Sequence, residues 1–194
     1  MKKAFLTILS LALVVVFSAF TNPGTSYTVD PTTSELKWTG YHLAKSYEHY
    51  GFVKLKSGKI AINKGIITSG EFVIDMNTLT SADVTDEGKN GKLVGHLKSA
   101  DFFDVANNPE AKLVITKSTA AGEGKLKATG DLTIRGITKT IDFDVTLKEK
   151  GKEIEAIADL KILRTDFKVM YGWNIENAML SGEFRMEVKL VAKK

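Results

Sequence analysis

The chain has 194 residues, no cysteine and a formal net charge of +4. Without cysteine there are no disulfides, no thiol catalysis and no thiolate-bound zinc or iron–sulfur cluster. Basic and acidic residues are interspersed, with no basic run or aromatic-interleaved patch. That argues against a nucleic-acid partner and leaves transient contact with an anionic membrane surface as a weak expectation.

The N-terminus reads as an export signal. Lys2 and Lys3 form a short basic region, residues 4–20 carry no charge, and Ser18, Ala19 and Thr21 supply small residues for cleavage. The expectation is a signal peptide over 1–21, a single domain over 22–194 and a periplasmic or secreted product. An uncleaved anchor is the alternative, because the apolar run approaches the roughly 18 residues of a membrane span. Loss of Lys2 and Lys3 would leave 25 basic against 23 acidic residues, a formal charge of +2.

From Leu36 onward the chain alternates with period two. Leu36 and Trp38 share one face, then Phe72 and Ile74, then Ala111, Leu113 and Ile115. Leu126, Ala128, Gly130, Leu132 and Ile134 follow, then Ile141, Phe143, Val145 and Leu147. Ala156, Ala158, Leu160 and Ile162 come next, and finally Phe184, Met186, Val188 and Leu190. Mostly polar residues occupy the opposite faces, with Val73, Val114 and Ile157 among them. One dry face and one wet face mark antiparallel sheet. Between Phe52 and Ile62 the parity switches around Ser57-Gly58, which predicts a bulge or tight bend.

One segment breaks the pattern. From Gly88 to Ala100, Leu93, Val94 and Leu97 fall at helical spacing, and Gly91 and Gly95 keep the helix short. Asn107-Asn108-Pro109 ends the insertion before the next strand.

Two stretches carry a family resemblance. Residues 93–109 read Leu-Val-Gly-His-Leu-Lys-Ser-Ala-Asp-Phe-Phe-Asp-Val-Ala-Asn-Asn-Pro, and residues 130–139 read Gly-Asp-Leu-Thr-Ile-Arg-Gly-Ile-Thr-Lys. In this order they resemble the YceI family of secreted, lipocalin-like barrels, from Tyr27-Thr-Val-Asp30 to the strand near Leu190. The resemblance implies an all-β, lipocalin-like antiparallel barrel of about eight strands with a short helical insertion. It also implies a polyisoprenoid or other long-chain amphiphile as ligand. Two departures stand out. Leu163 replaces the acidic residue the family usually places before Arg164, and Leu93-Val94-Gly95 replaces an Arg-Asp-x triplet before His96-Leu97.

Candidate residues follow from parity and chemistry. Trp38, Phe72, Ile74, Leu132, Ile134, Phe143, Val145, Ala158 and Phe184 share the inward face of successive strands and are the expected ligand-binding wall. Gly130, Ala128, Ala156 and Ala158 are small and inward, and so should leave volume. His96 is expected to be structural, held by Asp101 or Asp104. One of Phe102 and Phe103 is expected to cap the barrel and the other to anchor the insertion. Arg135 should end its strand in a rim polar cluster with Asp131. Asp142 and Asp144 flank Phe143 and so face water, unlike a glycosidase pair. His42 and His49 show no metal-ligand spacing, and no nucleophile elbow or phosphate-binding glycine loop is present.

The expected protein is therefore an exported, non-catalytic binder of a polyisoprenoid or other long-chain lipid, without metal or cofactor. Two other readings stay open: a lipid-modifying enzyme with His96 or His42 as base, and a ligand-free, stress-related scaffold. A lined cavity would separate the binder from the scaffold.

Overall fold

A computed structural model describes residues 24–42, 47–172 and 180–194. The expected signal segment, 1–21, lies outside the described residues. These residues form nine strands and one α-helix. The strands are β1 (Thr25–Val29), β2 (Glu35–His42), β3 (Glu48–Asn63), β4 (Ile66–Asp75), β5 (Glu110–Gly122), β6 (Lys125–Ile134), β7 (Ile137–Lys150), β8 (Glu153–Leu163) and β9 (Leu180–Lys193). Helix α1 (Glu87–Lys98) lies between β4 and β5.

Every neighbouring pair is antiparallel, and the ring runs β2, β3, β4, β5, β6, β7, β8, β9 and back to β2. The result is a closed barrel of eight positions, as expected. The ninth strand does not widen it. β1 pairs with β3 and β9, as β2 does, but toward the other end of the barrel. β1 and β2 thus share one position, interrupted between Val29 and Glu35. There Asp30 accepts hydrogen bonds from the Thr32 N–H (2.9 Å) and hydroxyl (2.6 Å).

Turn chemistry follows the sequence. Lys64-Gly65 joins β3 to β4 and Arg135-Gly136 joins β6 to β7, with all four residues at positive φ. Two consecutive left-handed residues match the right-handed twist of the flanking strands. Arg135 is therefore in the turn, not at the end of a strand. Its guanidinium donates to the Phe102 and Lys168 carbonyls, whereas Asp131 accepts from the Thr140 hydroxyl at 2.7 Å. The expected Asp131–Arg135 cluster does not form, because the turn redirects Arg135 toward the insertion.

The predicted bulge is present: the β3–β4 register shifts between Leu55 and Ser57. Just beyond it Gly58 pairs with Phe72. A Cβ at Gly58 would lie 3.0 Å from the Phe72 ring, and one at Gly70 would also lie 3.0 Å from it. The absent side chains let the ring lie across both glycines, so a bulky aromatic is buried without widening the barrel.

Helix α1 matches the predicted insertion. Asp86 caps it, accepting from the Lys89 N–H at 2.8 Å. Leu97 is buried, and Leu93 and Val94 pack against the same core. The connection from β4 to α1 runs along β3, with the Thr80 N–H donating to Phe52 O and the Ala82 N–H to Tyr50 O. Trp38 fixes it from within by donating Nε1–H to Thr80 O at 2.9 Å. Gly51 lies directly under this crossing.

A Cβ at Gly51 would overlap the Thr80 carbonyl oxygen, whereas one at Gly91 would meet nothing within 4 Å. Gly51→Ala is expected to lower the unfolding free energy by roughly 1–3 kcal/mol through overpacking. Gly91→Ala should raise it by about 0.5–1 kcal/mol through helix propensity. Denaturant unfolding of the two variants checks the pair, and an unchanged Gly51→Ala would refute the crossing geometry.

Candidate functional site: an apolar barrel cavity with a polar end

An eight-position barrel is wide enough either to fill itself with side chains or to enclose one small ligand. Here it encloses a cavity of about 360 Å³. That is more than twice the roughly 150 Å³ of an engineered apolar cavity that holds benzene, and within the range of ligand pockets. The buried side chains therefore leave part of the interior unfilled.

The structure brings all nine residues of the expected wall to this cavity. Trp38, Phe72, Leu132, Ile134, Phe143 and Val145 are buried. Ile74, Ala158 and Phe184 face inward yet are only half-buried, because part of their surface borders empty space. Leu113, Met186, Val188 and Leu190 behave the same way and also line the cavity. Their parity was visible in the sequence. Of the small inward residues, Ala156 and Ala158 line the cavity and Ala128 and Gly130 do not. A Cβ at Gly130 would already meet Leu113 at 3.1 Å and Val114 O at 2.9 Å; neighbouring chains consume that volume.

Polar groups gather at one end, where β2 finishes, β3 and β9 begin and α1 crosses. All three histidines of the chain, His42, His49 and His96, line the cavity. Their environments differ.

The His96 ring packs against Tyr171 (centroids 4.2 Å apart) and Phe102 (5.9 Å). Its Nε2 is buried without a hydrogen-bond partner among the described residues. The expected carboxylate partner is not there. Asp104 instead turns its carboxylate to the side-chain amides of Asn107 and Asn108, and Asp101 is exposed. The chain leaves α1 after Ser99 and carries both acids away from the ring. Phe102 and Phe103 do not divide the roles expected of them: both line the cavity, and Phe103 meets Phe184 edge-on at 6.2 Å.

His49 has the partner that His96 lacks. Its Nδ1 lies 2.6 Å from Asp83 Oδ2. Asp83 Oδ1 accepts the Tyr50 N–H and the Ser81 hydroxyl, each at 3.0 Å. Burial raises the Asp83 pKa, but these hydrogen bonds outweigh it and hold the carboxyl below its ordinary value. Nothing in the sequence spacing announced a pair 34 residues apart; only the crossing over Gly51 brings Asp83 to His49.

Arg164 is the buried cation of this end, 3% exposed. Its Nε donates to Ser181 O at 2.7 Å, Nη1 to Val169 O at 2.7 Å and Tyr171 O at 2.9 Å, and Nη2 to Leu180 O at 3.4 Å. Burial lowers its pKa from the ordinary value. Leu163, at the site of the family's usual acid, is half exposed and points away. The guanidinium thus ties the segment after β8 to the start of β9, closing the wall beside Tyr171.

Among the described residues no group of three His, Asp or Glu side chains is placed to hold a metal. Asp142 and Asp144 face water, engaged by Thr129 (2.6 Å) and Lys127 (3.1 Å).

Comparison with known proteins agrees with this geometry. The model of the YceI-like domain matches residues 27–192. A UPF0312 protein of Pseudomonas putida strain W619 is 33% identical over 116 residues, 60% of this chain and 57% of that protein. The match therefore spans little more than half of such relatives. Among solved structures, BcnA of Burkholderia cenocepacia superposes with a TM-score of 0.71 at 24% identity, covering 85% of this chain and 99% of that one. A polyisoprenoid binding domain from Saccharophagus degradans, implicated in plant cell wall breakdown, gives 0.62 at 16% identity, covering 86% and 97%. At these identities the structural likeness shows the fold.

Arg164→Lys tests the clamp. One ammonium cannot reach the carbonyls that the planar guanidinium spans, and each lost bond leaves a carbonyl unsatisfied. A loss of about 2 kcal/mol or more is expected in denaturant unfolding; a loss under about 0.5 kcal/mol would mean that the clamp is not structural.

Proposed function

We propose that this chain, which belongs to the YceI-like domain family, is an exported, non-catalytic protein that carries a polyisoprenoid or similar long-chain amphiphile in its barrel. The observation that carries the proposal is the 360 Å³ cavity walled by aliphatic and aromatic side chains. Each ligand methylene moved from water into it contributes roughly 0.8 kcal/mol, so a long chain binds tightly with few polar contacts. The likeness to a polyisoprenoid binding domain supports the ligand class. The basic and apolar N-terminal residues support export. The ligand contacts would be the nine wall residues from Trp38 to Phe184.

The cargo is insoluble and would be collected from a bilayer. Four of the exposed large apolar residues, Tyr47, Leu163, Met170 and Tyr171, lie at the polar end. They occupy the rim formed by the start of β3, the end of β8 and the segment that follows it. Such a rim would rest against a membrane while lipid passes. Leu163→Asp with Met170→Asp is expected to slow lipid uptake from phosphatidylcholine vesicles severalfold and leave affinity for detergent-dispersed lipid unchanged. Uptake at the wild-type rate would exclude this rim.

Organic extraction of purified protein, followed by mass spectrometry, should release a long-chain lipid in near-stoichiometric amount. Ala158→Lys should then abolish binding, because an ammonium resists desolvation among hydrocarbon walls. The variant should remain folded, since Ala158 borders empty space. A folded variant that binds lipid as well as wild type would overturn the proposal.

A further inference from the structure

We infer that His49, oriented by Asp83, is the head-group contact of the cavity and selects amphiphiles whose polar end donates a hydrogen bond, a hydroxyl-headed chain. The inference rests on the carrier function proposed above and specifies its ligand.

The argument starts from the acceptors of Asp83. Oδ1 is engaged by the Tyr50 N–H and the Ser81 hydroxyl, and Oδ2 faces His49 Nδ1 at 2.6 Å. A carboxylate offers only acceptors, so the imidazole proton belongs on Nδ1. In the neutral form of the ring this leaves Nε2 as a lone-pair acceptor, its tautomer set by the partner on the other nitrogen. The ring plane is held by Tyr47, edge-on at 4.8 Å, and by His42 at 6.2 Å. His49 lines the cavity and its side chain is 24% exposed, so a ligand reaches it without rearrangement. His96 is a poorer candidate: its Nε2 is covered, with Tyr171 packed on the ring. A preoriented acceptor at the end of a hydrocarbon-lined chamber fits a chain that ends in a hydroxyl. It leaves an ether or a bare hydrocarbon with nothing to donate.

Two isomeric probes isolate the donor: 1-dodecanol and 1-methoxyundecane. Wild type should bind the alcohol roughly three- to tenfold more tightly, the effect of one hydrogen bond. His49→Phe should erase the preference while ether affinity stays within about twofold. Asp83→Asn should also erase it with His49 still present, because the amide can donate to Nδ1 and shift the ring proton to Nε2. If His49→Phe fails to fold, Asp83→Asn decides. Equal binding of both probes to wild type, or a preference that survives in the folded variants, overturns this inference and leaves the carrier function standing. Failure to bind either probe overturns both.

Discussion

Along the seam between β2 and β9, Glu35 pairs with Lys189 and the register runs unbroken to Gly40 and Phe184. This seam joins the ends of the sheet, so the ring of eight positions closes. Closure fixes the circumference, and the circumference fixes how much interior the inward side chains must fill. Large residues such as Trp38, Phe72 and Phe143 take up part of that volume. Ala156 and Ala158, on the β8 wall, do not take up their share. The cavity is the remainder: a fixed ring size minus the side chains that the inward positions supply.

The two ends of that cavity do different physical work. Along the barrel the wall is hydrocarbon, and hydrocarbon contact is non-directional. It gives affinity in proportion to chain length and is indifferent to what the chain ends in. At the end near α1 the contacts are directional. Asp83 orients His49, Arg164 collects carbonyls from two segments, and Tyr171 lies on His96. Burying a guanidinium is costly unless its donors are used, and here each of its three nitrogens donates to a carbonyl.

The sequence made the strand faces legible because period two is a property of each strand alone. Parity placed Ile74 with Phe72 and Phe184 with Met186 without any knowledge of neighbours. The Ser57-Gly58 bulge was legible for the same reason: the parity switch is local. What was not legible depends on contacts between distant segments. Gly130 looked like spare volume until Leu113 and Val114 came beside it across the β5–β6 ladder. His96 seemed to have acids within reach, but the turn after Ser99 moves them off. The His49–Asp83 pair is the extreme case, since its geometry exists only after the connection from β4 has crossed Gly51 and bonded to β3.

The position shared by β1 and β2 imposes an order on assembly. Both strands lie near the start of the chain, and each is flanked on one side by β9, the last strand. Val29 faces Ala192 and Leu36 faces Val188, contacts separated by more than 150 residues of sequence. During synthesis the first strands exist for the whole time needed to make the rest, with one edge open. The hairpins β3–β4, β5–β6, β6–β7 and β7–β8 can zip locally across short turns, while β4 and β5 meet across the insertion that carries α1. The ring itself cannot close until the C-terminal strand arrives. The cost of that long loop falls on the final step. A chain lacking β9 would keep most of its hairpins and still have no inside.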